Sequence, residues 1–134
     1  MAIEHVIIEV LLSDPKVKDY CGSDVFMVSA PSETKRPYIT IVETDKPAGD
    51  DIVNEFEITI EMYDNDKDKS KAIALSQHLK QILHRAKGLE DKNGAYSNIR
   101  LYFQERGHIE ESDNTLPRMF ITFSARAIEE IIEE

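Results

Sequence analysis

The stretch NEFEITIEMYD, Asn54 to Asp64, alternates without a break. Phe56, Ile58, Ile60 and Met62 take every second position, with Glu55, Glu57, Thr59 and Glu61 between them. Successive side chains of a strand point to opposite sides of its sheet, so the pattern predicts a half-buried antiparallel strand, apolar on one face and acidic on the other. Such a strand needs partners, and three other stretches supply the same period. Tyr38 to Glu43 places Ile39 and Ile41 on one face, and Pro37 stands at the strand's start, where its missing N–H costs no essential ladder bond. Ile99, Leu101 and Phe103 alternate with Arg100, Tyr102 and Gln104. Met119, Ile121, Phe123 and Ala125 alternate with Phe120, Thr122, Ser124 and Arg126. Asp24 to Ala30 is a shorter candidate, ended by Pro31.

Two stretches change to the helical period. Ile3, Val6, Ile7, Val10 and Leu11 form an apolar stripe, with Glu4 and Glu9 on the other side. This first helix should stop near Ser13, because Pro15 restricts Asp14 and cannot continue the hydrogen-bond ladder, leaving Val17 and Tyr20 in a loose turn before Gly22. Ala72, Leu75, Leu79, Ile82, Leu83 and Ala86 mark a second helix over about Asp68 to Lys87, with Gly88 as its stop. The order α-β-β-β-α-β-β predicts an α+β fold: an antiparallel sheet of four to five strands with two α-helices packed on one face. Residues 1–128 read as one domain and 129–134 as an acidic tail, with Ala127 to Glu134 forming a short helical turn or staying loose. The other sheet face is polar, with Tyr38, Thr40, Glu55, Glu57, Thr59, Glu61, Arg100, Tyr102, Thr122 and Arg126 upon it, and reads equally as a solvated face or a subunit interface. Cross-strand Glu–Arg pairs on it would help set the register.

Composition removes several function classes. The 134 residues are enough for a core without disulfides or metal, and Cys21 alone cannot form an intramolecular disulfide. It reads as a small, semi-buried residue near a turn. The amino-terminal residues lack a basic segment, and Glu4 and Glu9 break their apolar run, so they are not a signal peptide. No apolar run approaches the ~20 residues that span a bilayer. A soluble protein made in a reducing cytoplasm is expected. The net charge of −10 opposes phosphate binding, since nucleic-acid affinity comes mainly from Lys and Arg displacing counterions.

Asp64, Asp66 and Asp68 resemble the start of a calcium loop, but Lys69 and Leu75 stand where that loop needs Gly and Glu. Their charge instead suits the amino-terminal end of the second helix. His5, His78, His84 and His108 have no partners at metal-ligand spacing, and no phosphate loop or nucleophile elbow occurs. No catalytic, cofactor or metal residue is therefore assigned, and the protein is not expected to be an enzyme. Lys67, Lys69, Lys71, Lys80, Arg85 and Lys87 give the second helix a basic side, suited to solvent or an acidic partner. Three connections, Asp45–Asn54, Leu89–Ser97 and Gly107–Pro117, are long for a chain of this size, which favours function in the loops. TDKPAGDD (residues 44–51) reads as an acidic docking loop, mobile from about Lys46 to Asp51 in the isolated subunit. The expected interface residues are Asp45, Lys46, Asp50, Asp51, Glu55, Glu57, Glu61, Arg100 and Arg126.

RPYITIVETDKPAGDD (36–51), FEITIEMYDNDKDKSKAIALSQHLKQIL (56–83) and PRMFITFSAR (117–126) resemble the tail-completion proteins of long-tailed bacteriophages, a family also called tail-to-head joining or tail-terminator proteins. The ordered series is an amino-terminal helix ending in Asp14-Pro15-x-Val17, then Pro37-Tyr38-Ile39-x-Ile41 and a charged loop. An alternating strand running into Tyr63-Asp64, a helix with Ala72, Leu75 and Leu79, and an Arg118-x-Phe120-Ile121-x-Phe123 strand complete it. It covers nearly the whole chain and is most similar to members from siphophages that infect Bacillus. The resemblance implies a late virion assembly protein without catalytic residues or cofactor. A hexameric ring at the head-proximal end of the tail is implied, with the tail tube protein and a head-completion (neck) protein as partners. DNA would pass through its channel without specific binding. Two other readings are a small-ligand or regulatory module using the polar sheet face, and a hydrolase with an unrecognised site.

Overall fold

The computed structural model describes residues 3–46, 53–64, 70–86, 89, 96–109 and 118–129. Among the described residues three helices and five strands follow one another as α1 (Glu4–Ser13), α2 (Pro15–Cys21), β1 (Val25–Met27), β2 (Tyr38–Lys46), β3 (Val53–Tyr63), α3 (Ser70–Leu83), β4 (Tyr96–Ile109) and β5 (Arg118–Glu129). The strands form one sheet in the order β1-β2-β3-β5-β4. The fold is α+β as the periodicities predict, with two differences. The sheet is mixed, because β1 runs parallel to β2 while every other pairing is antiparallel. There is also a third helix.

That helix is α2. Pro15 does end α1, but it also starts a new helix, since the first helical position has no N–H bond to lose. Asp14 is the N-cap, its side chain accepting from the Lys16 and Val17 amides at 2.9 and 3.2 Å. Val17 and Cys21, one turn apart, are buried, and α2 ends at Gly22 with φ +63, where glycine costs least. Cys21 fits its expected place at the end of this turn.

Register places the apolar positions of four strands on one face. Ile39 pairs with Met62 and Ile41 with Ile60. Ile58 then meets Phe123, Ile60 meets Ile121, and Leu101 meets Ala125. With Ile3, Val6, Ile7 and Leu11 of α1, Val17 of α2, and Ala72, Leu75, Leu79 and Leu83 of α3, they form one core. Fully burying each such side chain contributes about 1.5–3 kcal/mol, so this layer between helices and sheet holds the fold.

Helix α3 is shorter than its periodicity predicts. Arg85 adopts φ +56, and its amide donates to Leu101 O at 2.8 Å, turning the chain onto the edge of β4. His84 Nδ1 accepts from the Phe103 amide at 2.9 Å beside it. Residues 68, 69 and 87 of the expected helix, and Gly88 as its stop, lie outside the described residues. The long connections are shorter than expected too. Asp45 and Lys46 belong to β2, Val53 and Asn54 to β3, Tyr96 and Ser97 to β4, and Gly107 to Ile109 continue β4. Lys46, expected to be mobile, thus sits in a strand in register with Glu55, while residues 47–51 of that expectation lie outside the described residues. Ala127 to Glu129 extend β5 instead of forming a helical turn.

Candidate functional site

The face of the sheet away from the core is the surface where the expected interface residues converge. Alternation in β3 puts Glu55, Glu57 and Glu61 there, and the pairing of β3 with β5 sets Arg126 opposite Glu55. Arg126 Nε lies 3.5 Å from Glu55 Oε1, with side chains 55% and 39% exposed, so solvent screens the pair strongly. Arg100 stands in register with Arg126 and donates to Ile99 O at 3.2 Å. One of the cross-strand Glu–Arg pairs expected on this face is thus Glu55–Arg126, whereas Arg100 faces a second arginine across its strand. Asp45 and Lys46 are placed by backbone register opposite Phe56 and Glu55. Asp50 and Asp51 lie outside the described residues.

Glu61 and Tyr38, both expected on this face, belong to a second group there with Tyr63, Arg118 and Arg36, which the sequence does not predict. Tyr38 stacks on Tyr63 with ring centroids 4.4 Å apart, and the Arg118 guanidinium lies 4.7 Å from the Tyr63 ring centre. Arg36 stands 5.3 Å from the same ring. The Tyr63 hydroxyl donates to Glu61 Oε2 at 2.7 Å, and Arg118 donates to that oxygen through both Nε and Nη2. Burial, then the bond to Glu61, pushes the Tyr63 hydroxyl up to about 12, so it remains a proton donor at neutral pH. Cation and ring reinforce each other here, because the aromatic face attracts the guanidinium that Glu61 holds in place. The signal lay in Tyr38, Tyr63 and Arg118 each standing at a strand end, but only the register brings those ends together.

Among the described residues no group of three or more His, Cys, Asp or Glu side chains is placed to hold a metal. His78 pairs with Asp14 at 2.8 Å, and His84 is engaged with β4, so both serve packing between elements. Cys21 is buried at the end of α2, and burial pushes its thiol up to about 11, away from nucleophilic use. Among the described residues no helix is long and apolar enough to cross a membrane. The sheet face away from the core is thus charged, with an aromatic cluster at one end.

No curated protein matches the chain. A solved structure described as the virion of a native gene transfer agent particle superposes with a TM-score of 0.73 at 18% identity, over 90% of this chain and 91% of that one. A second solved structure gives a TM-score of 0.59 at 12% identity, over 98% of this chain and 94% of the other. At such identities the likeness concerns the fold alone. The family profile of tail completion protein gp17 matches residues 5–128, which run from α1 into the end of β5. The chain therefore belongs to the tail completion protein gp17 family, and its role is that of a structural protein of a phage tail.

Proposed function

We propose that this protein caps the head-proximal end of the tail tube and joins the tail to the DNA-filled capsid, as a hexameric ring assembled from copies of the chain. The family match over residues 5–128 is the observation that carries the proposal. The charged sheet face is consistent with it, because a joint between two assemblies needs contact surface. The net charge of −10 is consistent with a ring around a DNA channel, whose acidic wall repels phosphates and lets the genome slide. The partners in this reading are the tail tube protein on one side and a head-completion protein on the other. Glu55, Glu57, Glu61, Arg100 and Arg126 are proposed as contact residues, together with Asp45, Lys46, Asp50 and Asp51.

Electron microscopy of the purified protein mixed with tails tests this directly. Ring-shaped density confined to one end of the tails is expected. In infected cells lacking the protein, filled heads and separate tails should accumulate. A full yield of joined particles without the protein would refute the assignment.

A further inference from the structure

The helical side of the molecule holds a depression of about 410 Å³ between α2 and the first turns of α3. Lys16, Asp19 and Tyr20 line it from α2, and Lys71, Ala74 and Leu75 from α3. Its floor is apolar, made by the Tyr20 ring with Ala74 and the buried Leu75, and the exposed Lys16 and Lys71 stand at its rim. With Asp19 as the opposing charge, the lining carries an excess of one positive charge on a chain that is otherwise strongly acidic. The chemistry it fits is an apolar side chain flanked by carboxylates.

The chain itself contains that chemistry. Residues 129–134 read Glu-Glu-Ile-Ile-Glu-Glu, with two isoleucines between four glutamates. The length of β5 works against a subunit filling its own depression with them. The depression adjoins the end of β3, because Asp64 follows Tyr63 and accepts from the Ala72 amide in the first turn of α3 at 3.2 Å. Tyr63 is in register with Arg118 at the start of β5, whereas Glu129 ends β5 at the far end of the sheet. Eleven strand steps from Arg118 to Glu129 cover roughly 36 Å. The five residues 130–134 reach at most about 18 Å when fully extended.

We propose that Glu129–Glu134 of one copy docks in the α2–α3 depression of a second copy, an isoleucine on the Tyr20–Leu75 floor and glutamates on Lys16 and Lys71. The two surfaces differ, so the contact is heterologous: each subunit gives a tail and accepts one, and repetition generates a closed ring or an open filament. The contact rests on the ring reading only for its closure; docking of the segment is tested apart from it.

The test is fluorescence anisotropy of a labelled peptide of residues 127–134, Ala-Ile-Glu-Glu-Ile-Ile-Glu-Glu, titrated with the full chain. Saturable binding is expected, weakened roughly tenfold or more in the double variant K16E/K71E and by raised salt. A peptide with its four glutamates changed to lysine should bind that variant and not the natural chain. Both lysines are exposed, so their reversal leaves the core intact. Absence of saturable binding, or equal binding by K16E/K71E, overturns the proposal. Rings seen on tails without peptide binding overturn this contact and leave the ring reading intact. Peptide binding that follows the lysines, without rings, supports the contact and counts against the ring.

Discussion

Asp14 ends one helix and starts the next. Its amide donates to Leu11 O, while its carboxylate caps α2 and accepts from His78 Nε2 of α3. Burial pushes this carboxyl up, but the bonds from His78 and from the Val17 and Lys16 amides together outweigh that and hold it below its ordinary value of 3.8. A carboxyl depressed in the folded state contributes stability that is present above the unfolded value and lost as pH falls through the folded one. D14A should therefore cost about 1–2 kcal/mol at pH 7, the usual loss for removing an N-cap, with any His78 contribution added. D14N, which keeps a capping oxygen, should lose less. Urea unfolding of the three proteins at pH 7 and again below pH 3 measures this, and the gap between D14A and the natural chain should narrow in acid. A gap equal at both pH values would mean that the charge of Asp14 contributes nothing.

The strands show how far alternation carries at the level of the element. Phe56, Ile58, Ile60 and Met62 announced β3 and both of its faces, so Glu55, Glu57 and Glu61 were correctly placed on the open side before any pairing was known. Pairing itself was less legible. Three residues of β1 hold no record of strand direction, and its parallel alignment on β2 depends on how α2 returns the chain. The second helix was hidden because Pro15 reads equally as a stop and as a first helical residue. The cluster of Tyr38, Tyr63, Glu61 and Arg118 joins three strands and exists only once the register is set. Two ion pairs on this face should differ accordingly. Double-mutant cycles on Glu61–Arg118, whose side chains are 16% and 24% exposed and which share Tyr63, should return a coupling of about 1 kcal/mol or more. The same cycle on Glu55–Arg126, at 3.5 Å and more open to solvent than the first pair, should give at most about 0.5 kcal/mol. Equal couplings would show that ring and burial add nothing to the first pair.

At the scale of the whole molecule, charge separates a channel wall from a nucleic-acid-binding surface. Sixteen basic residues stand against 26 acidic ones, and in the described structure several of the basic ones are already committed. Arg118 is held by Glu61 and Tyr63, Arg126 by Glu55, and Lys80 lies 4.3 Å from the centre of the Phe103 ring. Binding to a duplex draws its free energy from counterions released by unengaged Lys and Arg, so affinity would be greatest at low salt and fall steeply as salt rises. A field set by −10 per subunit works against that gain at every salt concentration, and a ring multiplies it by the number of copies. Linear duplex DNA titrated with the purified chain at ~50 mM salt, where any phosphate contact is strongest, should show no mobility shift and no change in anisotropy. Salt-sensitive retention of the duplex under these conditions would mean that a basic surface outweighs the net field. The genome would then be gripped as it passed, and the picture of an acidic sleeve through which DNA slides would have to be given up.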